Sequence, residues 1–216
     1  MSSPQRGAKF TCNEGRDMEL IVVTPPDYFE GEAALINRFF DEGLHLLHIR
    51  KPVDDRAKFR KLMQGIAVQH YPRIAIHQHH EFAEEFSLKR LHFTEQQRKA
   101  RIAADFAALT AEGFRLSSSV HDLDVIHELK GFDYVFFGPV FNSISKKGYD
   151  SVLNDEFTLP PHVLKVFAIG GVRANRLTQL KQMNFDGAAV LGSLWHQTVS
   201  PLTELKNIMK AINEIQ

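Results

Sequence analysis

The sequence predicts an α/β fold, a single (β/α)8 TIM barrel, and three observations carry that prediction. Eight short apolar runs, each too brief for a helix, are strung along the chain with helix-forming stretches between them. Several of the runs stop at glycine, proline or a polar cluster, as parallel strands do where they hand over to loops. The first turn, Thr24-Pro25-Pro26, lacks the glycine-rich fingerprint of a dinucleotide-binding open sheet, the competing arrangement. A series of eight such strands closes on itself and leaves no edge.

Glu19 to Thr24 is a β-branched run stopped by Pro25-Pro26, the first strand. From Glu32, the residues Ala33, Leu35, Ile36, Phe39 and Phe40 recur at helical spacing up to Gly43, which caps the first helix. Leu46 to Arg50 is the second strand, with His48 and Arg50 on one face by the two-residue period. Asp54 opens a helix that runs through Phe59, Leu62, Met63, Ile66 and Ala67. Arg73 to Ile76 is the third strand; it leads into His77-Gln78-His79-His80 and a brief helix from Glu81 to Phe86. Leu91 to Phe93 is a very short fourth strand, and the Ala-rich stretch from Thr94 to Glu112 reads as one helix. Phe114 to Ser118 makes the fifth strand, Asp122 to Leu129 its helix, and Tyr134 to Phe137 the sixth strand. Val152 to Pro161 contains Pro160-Pro161 and predicts an irregular or abbreviated helix. Val166 to Ile169 is the seventh strand, Ala174 to Met183 a helix, Gly187 to Leu191 the eighth strand, and Pro201 to Ile215 the last helix.

Composition narrows the function classes. A chain of 216 residues that is 44% apolar fits one domain with a substantial core. Twenty-six cations balance 26 anions, so the sequence offers neither a nucleic-acid surface nor a polybasic membrane face, and any anion preference must be local. No apolar run approaches the roughly 18 residues that span a bilayer. A single cysteine, Cys12, excludes an internal disulfide and fits a reducing, cytoplasmic setting. Residues 1–17 are polar, precede a second methionine at Met18, and are expected to form a disordered extension ahead of one domain spanning 18–216. The sequence leaves room for a homo-oligomer.

Candidate chemistry gathers where strands end. The buried run Tyr134 to Phe137 stops at Gly138-Pro139 and enters a loop bearing Ser143, Ser145, Lys146 and Lys147, closed by Gly148, groups that grip an anion. Gly170-Gly171 follows the seventh strand and Gly192-Ser193 the eighth, the two barrel ends where backbone amides commonly hold phosphate. His48, His77, His92 and His121 fall at or near the ends of consecutive strands, and imidazoles there would supply an acid and a base near neutral pH. His77 and His79 invite a metal reading, but no carboxylate stands between them, so no metal site is assigned. Phe136, Phe137, Phe141 and Trp195 read as core and barrel-mouth packing.

Several segments together resemble the thiamine phosphate synthase/TenI superfamily: Met18-Glu19-Leu20, Leu47-His48-Ile49-Arg50, Ser119-Val120-His121, Asp133 to Gly148, Phe167-Ala168-Ile169-Gly170-Gly171 and Asp186-Gly187-Ala188-Ala189-Val190. The resemblance implies a barrel that handles a phosphorylated thiazole, with Arg50, Ser119, Ser143, Ser145, Lys146, Gly170, Gly171, Gly192 and Ser193 as its substrate- and phosphate-binding set. The synthase branch binds magnesium and a pyrimidine diphosphate. Its Gln-Leu-Arg-Glu-Lys motif falls on His48-Ile49-Arg50-Lys51-Pro52, and its two metal-binding acids fall on or near Gln78 and Gln97. Amides in place of carboxylates remove the charge that holds magnesium, so no cofactor is expected unless the chain is a synthase after all. The tautomerase branch aromatises the thiazole by metal-free proton transfer, and His48-Ile49-Arg50, Ser119-Val120-His121 and Lys146-Lys147-Gly148 look closest to it. Pro139 stands where that branch places its acid/base histidine, which leaves His48, His77, His92 and His121 to move the proton. The expectation is a TenI-like tautomerase, with an altered synthase or a catalytically silent binder of thiazole phosphate as alternatives.

Overall fold

Short apolar runs, buried on both faces along much of their length, build eight parallel strands that pair in chain order and close, β8 lying against β1. They are β1 (Glu19–Val23), β2 (Leu46–Ile49), β3 (Ile74–Ile76), β4 (Arg90–Phe93), β5 (Arg115–Val120), β6 (Phe132–Phe137), β7 (Lys165–Ile169) and β8 (Gly187–Val190). The computed structural model describes residues 17–141, 157–195 and 198–216. The central Ser143, Ser145 and Lys146 therefore lie outside the described residues, as do Cys12 and nearly all of the N-terminal extension.

Each strand turns one face to the helices and the other to the barrel axis. Outward residues such as Val22, Leu47, Ile49, Val135 and Val166 pack against α1 (Glu32–Asp41), α2 (Arg56–Gly65), α3 (Phe82–Glu85) and the later helices in one continuous core. Inward residues Ile21, Val23, Tyr134, Phe136, Phe167 and Ala189 fill the axis as a second cluster. The first helix is driven by burial of Ile36, Phe39 and Phe40 on one stripe.

The long helix read from Thr94 to Glu112 is two. Thr94 and Gln97 form a reciprocal capping box that starts α4 (Glu95–Lys99), and Asp105 Oδ2 accepts from Ile102 N at 3.2 Å where α5 (Ala103–Ala111) begins. The helix expected from Asp122 to Leu129 is a 3-10 turn over Asp124–Glu128, and part of the stretch from Ala174 is a 3-10 turn leading into α6 (Leu177–Gln182). A further 3-10 turn, Val68–Arg73, separates α2 from β3. Gly192–Trp195 is a short helix, α7, rather than a turn, and α8 is Pro201–Ile215. Among the described residues no helix is long and apolar enough to cross a membrane.

Three contacts fix the barrel ends. Trp195 donates its indole N–H to the carbonyl of Val23 at 2.8 Å, tying the segment after β8 to the end of β1. The buried carboxylate of Asp186 accepts from Val166 N and from His162 Nε2, both at 2.7 Å, at the opposite end. Lys51 is fully buried, donating to Glu32 Oε1 at 2.7 Å and to the carbonyls of Pro25 and Asp27 at 2.9 Å.

Candidate active site

The alternation that fills the barrel also decides what its mouth offers. Two residues past the inward positions His48 and Ser117 the same strand face reaches the mouth at Arg50 and Ser119, where side chains line a cavity of about 940 Å³ at the carboxyl ends of the strands. Arg50, His77, Ser119, His121 and Gly192 line it, together with Glu95 and Lys99 from α4, over Phe136. Five residues of the sequence-predicted set thus meet around one space.

The four histidines do not stand side by side. His121 is at the rim with its side chain 62% exposed, and Nδ1 donates to Glu95 Oε2 at 2.5 Å. Lys99 reaches the other oxygen of Glu95 at 2.6 Å. Hydrogen bonds from Lys99 and then His121 hold the Glu95 carboxyl down to about 2, so it stays ionised and orients the ring. His77 lies at the cavity floor. His48 and His92 sit one layer lower, both fully buried, because they occupy inward positions inside their strands rather than at strand ends. Burial pushes all three interior imidazoles well down, His92 to about 3, which makes them neutral at physiological pH.

The interior rings are wired together. His48 Nδ1 and His77 Nε2 are 2.9 Å apart, and His48 Nε2 meets the Tyr134 hydroxyl at 2.7 Å. His92 bonds Ser117 Oγ through Nδ1 at 2.9 Å and Ser119 Oγ through Nε2 at 3.0 Å. Three imidazoles this close satisfy the spacing of a metal site. Their orientation does not fit one: the His77 and His92 rings stack at 4.0 Å with 24° between planes, so their lone pairs run alongside each other instead of converging. The neighbouring His79 turns toward Asp54 and the Phe59 ring, and His80 toward the carbonyls of Ile76 and His92, so the His77-Gln78-His79-His80 run shares no centre.

Gly170, Gly171 and Ser193 stand behind the lining residues. Gly170 (φ +93°) lets the chain leaving β6 pass close by: a Cβ there would lie 2.8 Å from Pro139, and its carbonyl accepts from Phe141 N at 3.1 Å. The hydroxyl of Ser193 is buried with no hydrogen-bond partner among the described residues. Sequence reasoning missed Glu95, Lys99, Ser117 and Tyr134. A carboxylate two residues past β4 was the available signal for Glu95, and it was absorbed into a helix assignment.

A family model described as thiamine monophosphate synthase (TMP-TENI) matches residues 20–194. The chain belongs to the thiamine monophosphate synthase family. A thiamine phosphate pyrophosphorylase from Bacteroides thetaiotaomicron is 26% identical, with a TM-score of 0.69 over 92% of this chain and 100% of that one. Its counterpart from Pyrococcus furiosus is 16% identical, with a TM-score of 0.70 over 92% and 96%. A 3-hexulose-6-phosphate synthase shares the fold at 16% identity and a TM-score of 0.64, over 90% of this chain and 99% of that one. No curated protein matches the chain.

Within this family, the residues at the synthase's charged positions are already engaged. Gln78 Oε1 accepts from Lys51 N at 2.8 Å, and Gln97 Oε1 accepts from Thr94 N at 2.8 Å. Both amides therefore serve the backbone and offer no charge to magnesium; the ion does not fit them. Lys51, next to Pro52 where the synthase motif ends in lysine, is spent on Glu32 and two carbonyls and does not line the cavity.

Proposed function

We propose that this family member is a TenI-like thiazole tautomerase of thiamine biosynthesis, taking a phosphorylated thiazole as its small-molecule partner and working without a metal in the cytoplasm. The observation that carries the reading is the chemistry facing the cavity: an imidazole oriented by a carboxylate at the rim, a second imidazole at the floor, and amides where a magnesium site would need acids. Moving one proton on a ring requires a group that takes and a group that gives, and His121 at the rim and His77 at the floor would take those two tasks. Arg50, Ser119 and the amides around Gly171, Gly192 and Ser193 would hold the phosphorylated end, with Ser143, Ser145 and Lys146 orienting the ring.

The test is a direct comparison of two reactions. Thiazole carboxylate phosphate in its non-aromatic tautomer should convert to the aromatic form, followed by ultraviolet absorbance, at a rate that EDTA leaves unchanged. Pyrimidine diphosphate, thiazole phosphate and magnesium should release no diphosphate. Stoichiometric diphosphate release with thiamine phosphate formation would make the chain a synthase. Tight binding without spectral change would make it a silent binder, the outcome that Pro139 in the tautomerase's histidine position favours.

A further inference from the structure

A TIM-barrel interior is ordinarily packed with branched aliphatic side chains. Here His48, His77, His92 and Tyr134 stand in its middle, all buried, and groups so placed are costly unless each donor finds an acceptor. Two hydrogen bonds form a short line: Tyr134 Oη meets His48 Nε2 at 2.7 Å, and His48 Nδ1 meets His77 Nε2 at 2.9 Å. A neutral imidazole carries one N–H and one lone pair, so the hydrogens along this line all point the same way. If they point from Tyr134 toward His77, the hydroxyl gives to His48 Nε2, His48 Nδ1–H gives to His77 Nε2, and every donor on the line has an acceptor. If they point the other way, His77 gives to His48, His48 gives to Tyr134, and the hydrogen of the tyrosine is left over. His48 is the one group within hydrogen-bonding distance of that hydroxyl among the described residues, so the second arrangement strands a buried O–H. Burial pushes the Tyr134 pKa up, which keeps the hydrogen on the oxygen. His92 offers the contrast: both of its partners, Ser117 and Ser119, are hydroxyls that give or accept equally well, and neither fixes its tautomer.

We propose that Tyr134 and His48 are positioning residues that lock His77 with its hydrogen on Nδ1, so that the cavity floor presents an N–H donor to the ligand and no lone pair. His77 Nδ1 has no partner among the described residues and is not sealed from solvent, which makes it the ring nitrogen through which His77 lines the cavity. A ligand that lays an acceptor atom over the floor is held, and one that lays a donor there is not. The proposal rests on the tautomerase reading for its use and deepens that reading by dividing the two tasks. At the rim Glu95 keeps the hydrogen of His121 on Nδ1 and leaves Nε2 bare, so His121 takes and His77 gives. A neutral imidazole serves as a donor in enzymes that polarise a substrate, and burial keeps His48 and His77 neutral. In one turnover His121 Nε2 takes a proton from one ligand atom, the electron pair of the broken bond moves through the ring, and a second ligand atom forms its new bond to the proton given by His77 Nδ1. The two imidazoles then carry opposite charges, His121 beside the Glu95 carboxylate. A proton returning from His121 to His77 through cavity water restores both.

Ring nitrogens report their hydrogens directly. In protein labelled with 15N-histidine, at pH 7.5 and with no ligand added, long-range 1H–15N correlation should show His77 with a protonated Nδ1 and a bare Nε2. A hydrogen on Nε2, or a charged ring, overturns the lock. Tyr134→Phe removes the hydroxyl and keeps the aromatic ring; the ratio of the two His77 tautomers should then fall by about 10-fold, the scale of one buried O–H that no longer needs an acceptor. The two nitrogen shifts of His77 would move toward each other, and shifts that stay in place overturn the role of Tyr134. His48→Gln is the conservative replacement, since its Oε1 accepts from Tyr134 and its amide N–H gives to His77. It should keep the His77 hydrogen on Nδ1, which core packing alone would not require, and a hydrogen on Nε2 in this variant overturns the lock. Should Tyr134→Phe fail to fold, the parent and His48→Gln decide between them. In turnover of thiazole carboxylate phosphate, His77→Phe should lower kcat by about 100-fold, the scale of a lost acid/base function, and an unchanged kcat overturns the giving role. None of the spectra depends on turnover, so a parent that converts nothing removes the tautomerase reading while the rings still confirm or overturn the lock.

Discussion

Glu95 and His121 show how much a single hydrogen bond settles. A rim histidine alone would rotate freely, but the carboxylate on Nδ1 fixes the ring and leaves Nε2 as the nitrogen for the cavity. His121→Asn is expected to lower tautomerase kcat by about 100-fold with thiazole phosphate affinity retained, and Glu95→Gln by about 10-fold, measured by steady-state kinetics. Wild-type rates in both variants would remove the pair from the chemistry. His48, His77, His92 and His121 were legible as a group, since each lies on or just past a strand. Their division into a buried cluster and a rim residue was not, because it depends on which layer of the closed barrel each side chain enters. Glu95 was hidden for a different reason: helix-forming neighbours on one side of it outweighed the strand end on the other.

Elements are held here by close approaches and by a buried ion pair. Gly138 faces β7 so tightly that a Cβ would lie 2.0 Å from the Ile169 carbonyl, and Val140 N donates to that same oxygen at 3.0 Å. Gly138→Ala should therefore shift the urea midpoint by the equivalent of about 3 kcal/mol, since the clash is with backbone that cannot yield. Lys51 and Glu32 lock the loop after β1 onto the end of β2. Desolvation raises the Glu32 pKa and lowers that of Lys51, so each charge depends on the other. Lys51→Met alone should cost about 3–5 kcal/mol by urea denaturation, and pairing it with Glu32→Leu should restore a large part of that loss. The strands were readable to within a residue or two at each end, because short apolar runs and the glycines, prolines and polar clusters that stop them are local signals. Helix breaks were not. They turn on side chains such as Gln97 and Asp105 capturing particular backbone N–H groups, which the alanine-rich composition of that stretch conceals.

For the molecule as a whole, three buried neutral histidines make acid the vulnerable side. Their pKa values are lowered in the folded state and return to about 6.5 when the chain unfolds, so between those limits the unfolded form binds more protons. Stability is then fully present above pH 6.5 and is lost as pH falls below it, by up to about 1.4 kcal/mol per pH unit for each ring. Urea midpoints at pH 7.5, 6 and 5 should decline steeply, and His92→Phe should flatten the slope; a midpoint that holds to pH 5 would mean the rings are not buried as neutral groups. The closed eight-strand topology was legible from the count and spacing of apolar runs, whereas the polar axis inside it was not, since alternation marks a residue as inward without saying what it meets. The chain has one tryptophan, and its indole is clamped across the junction where the last strand's exit meets the end of the first. Its fluorescence therefore comes from the seam of the closed cylinder, a few residues from a cavity wall, so the protein carries an optical gauge of both closure and occupancy without any added label.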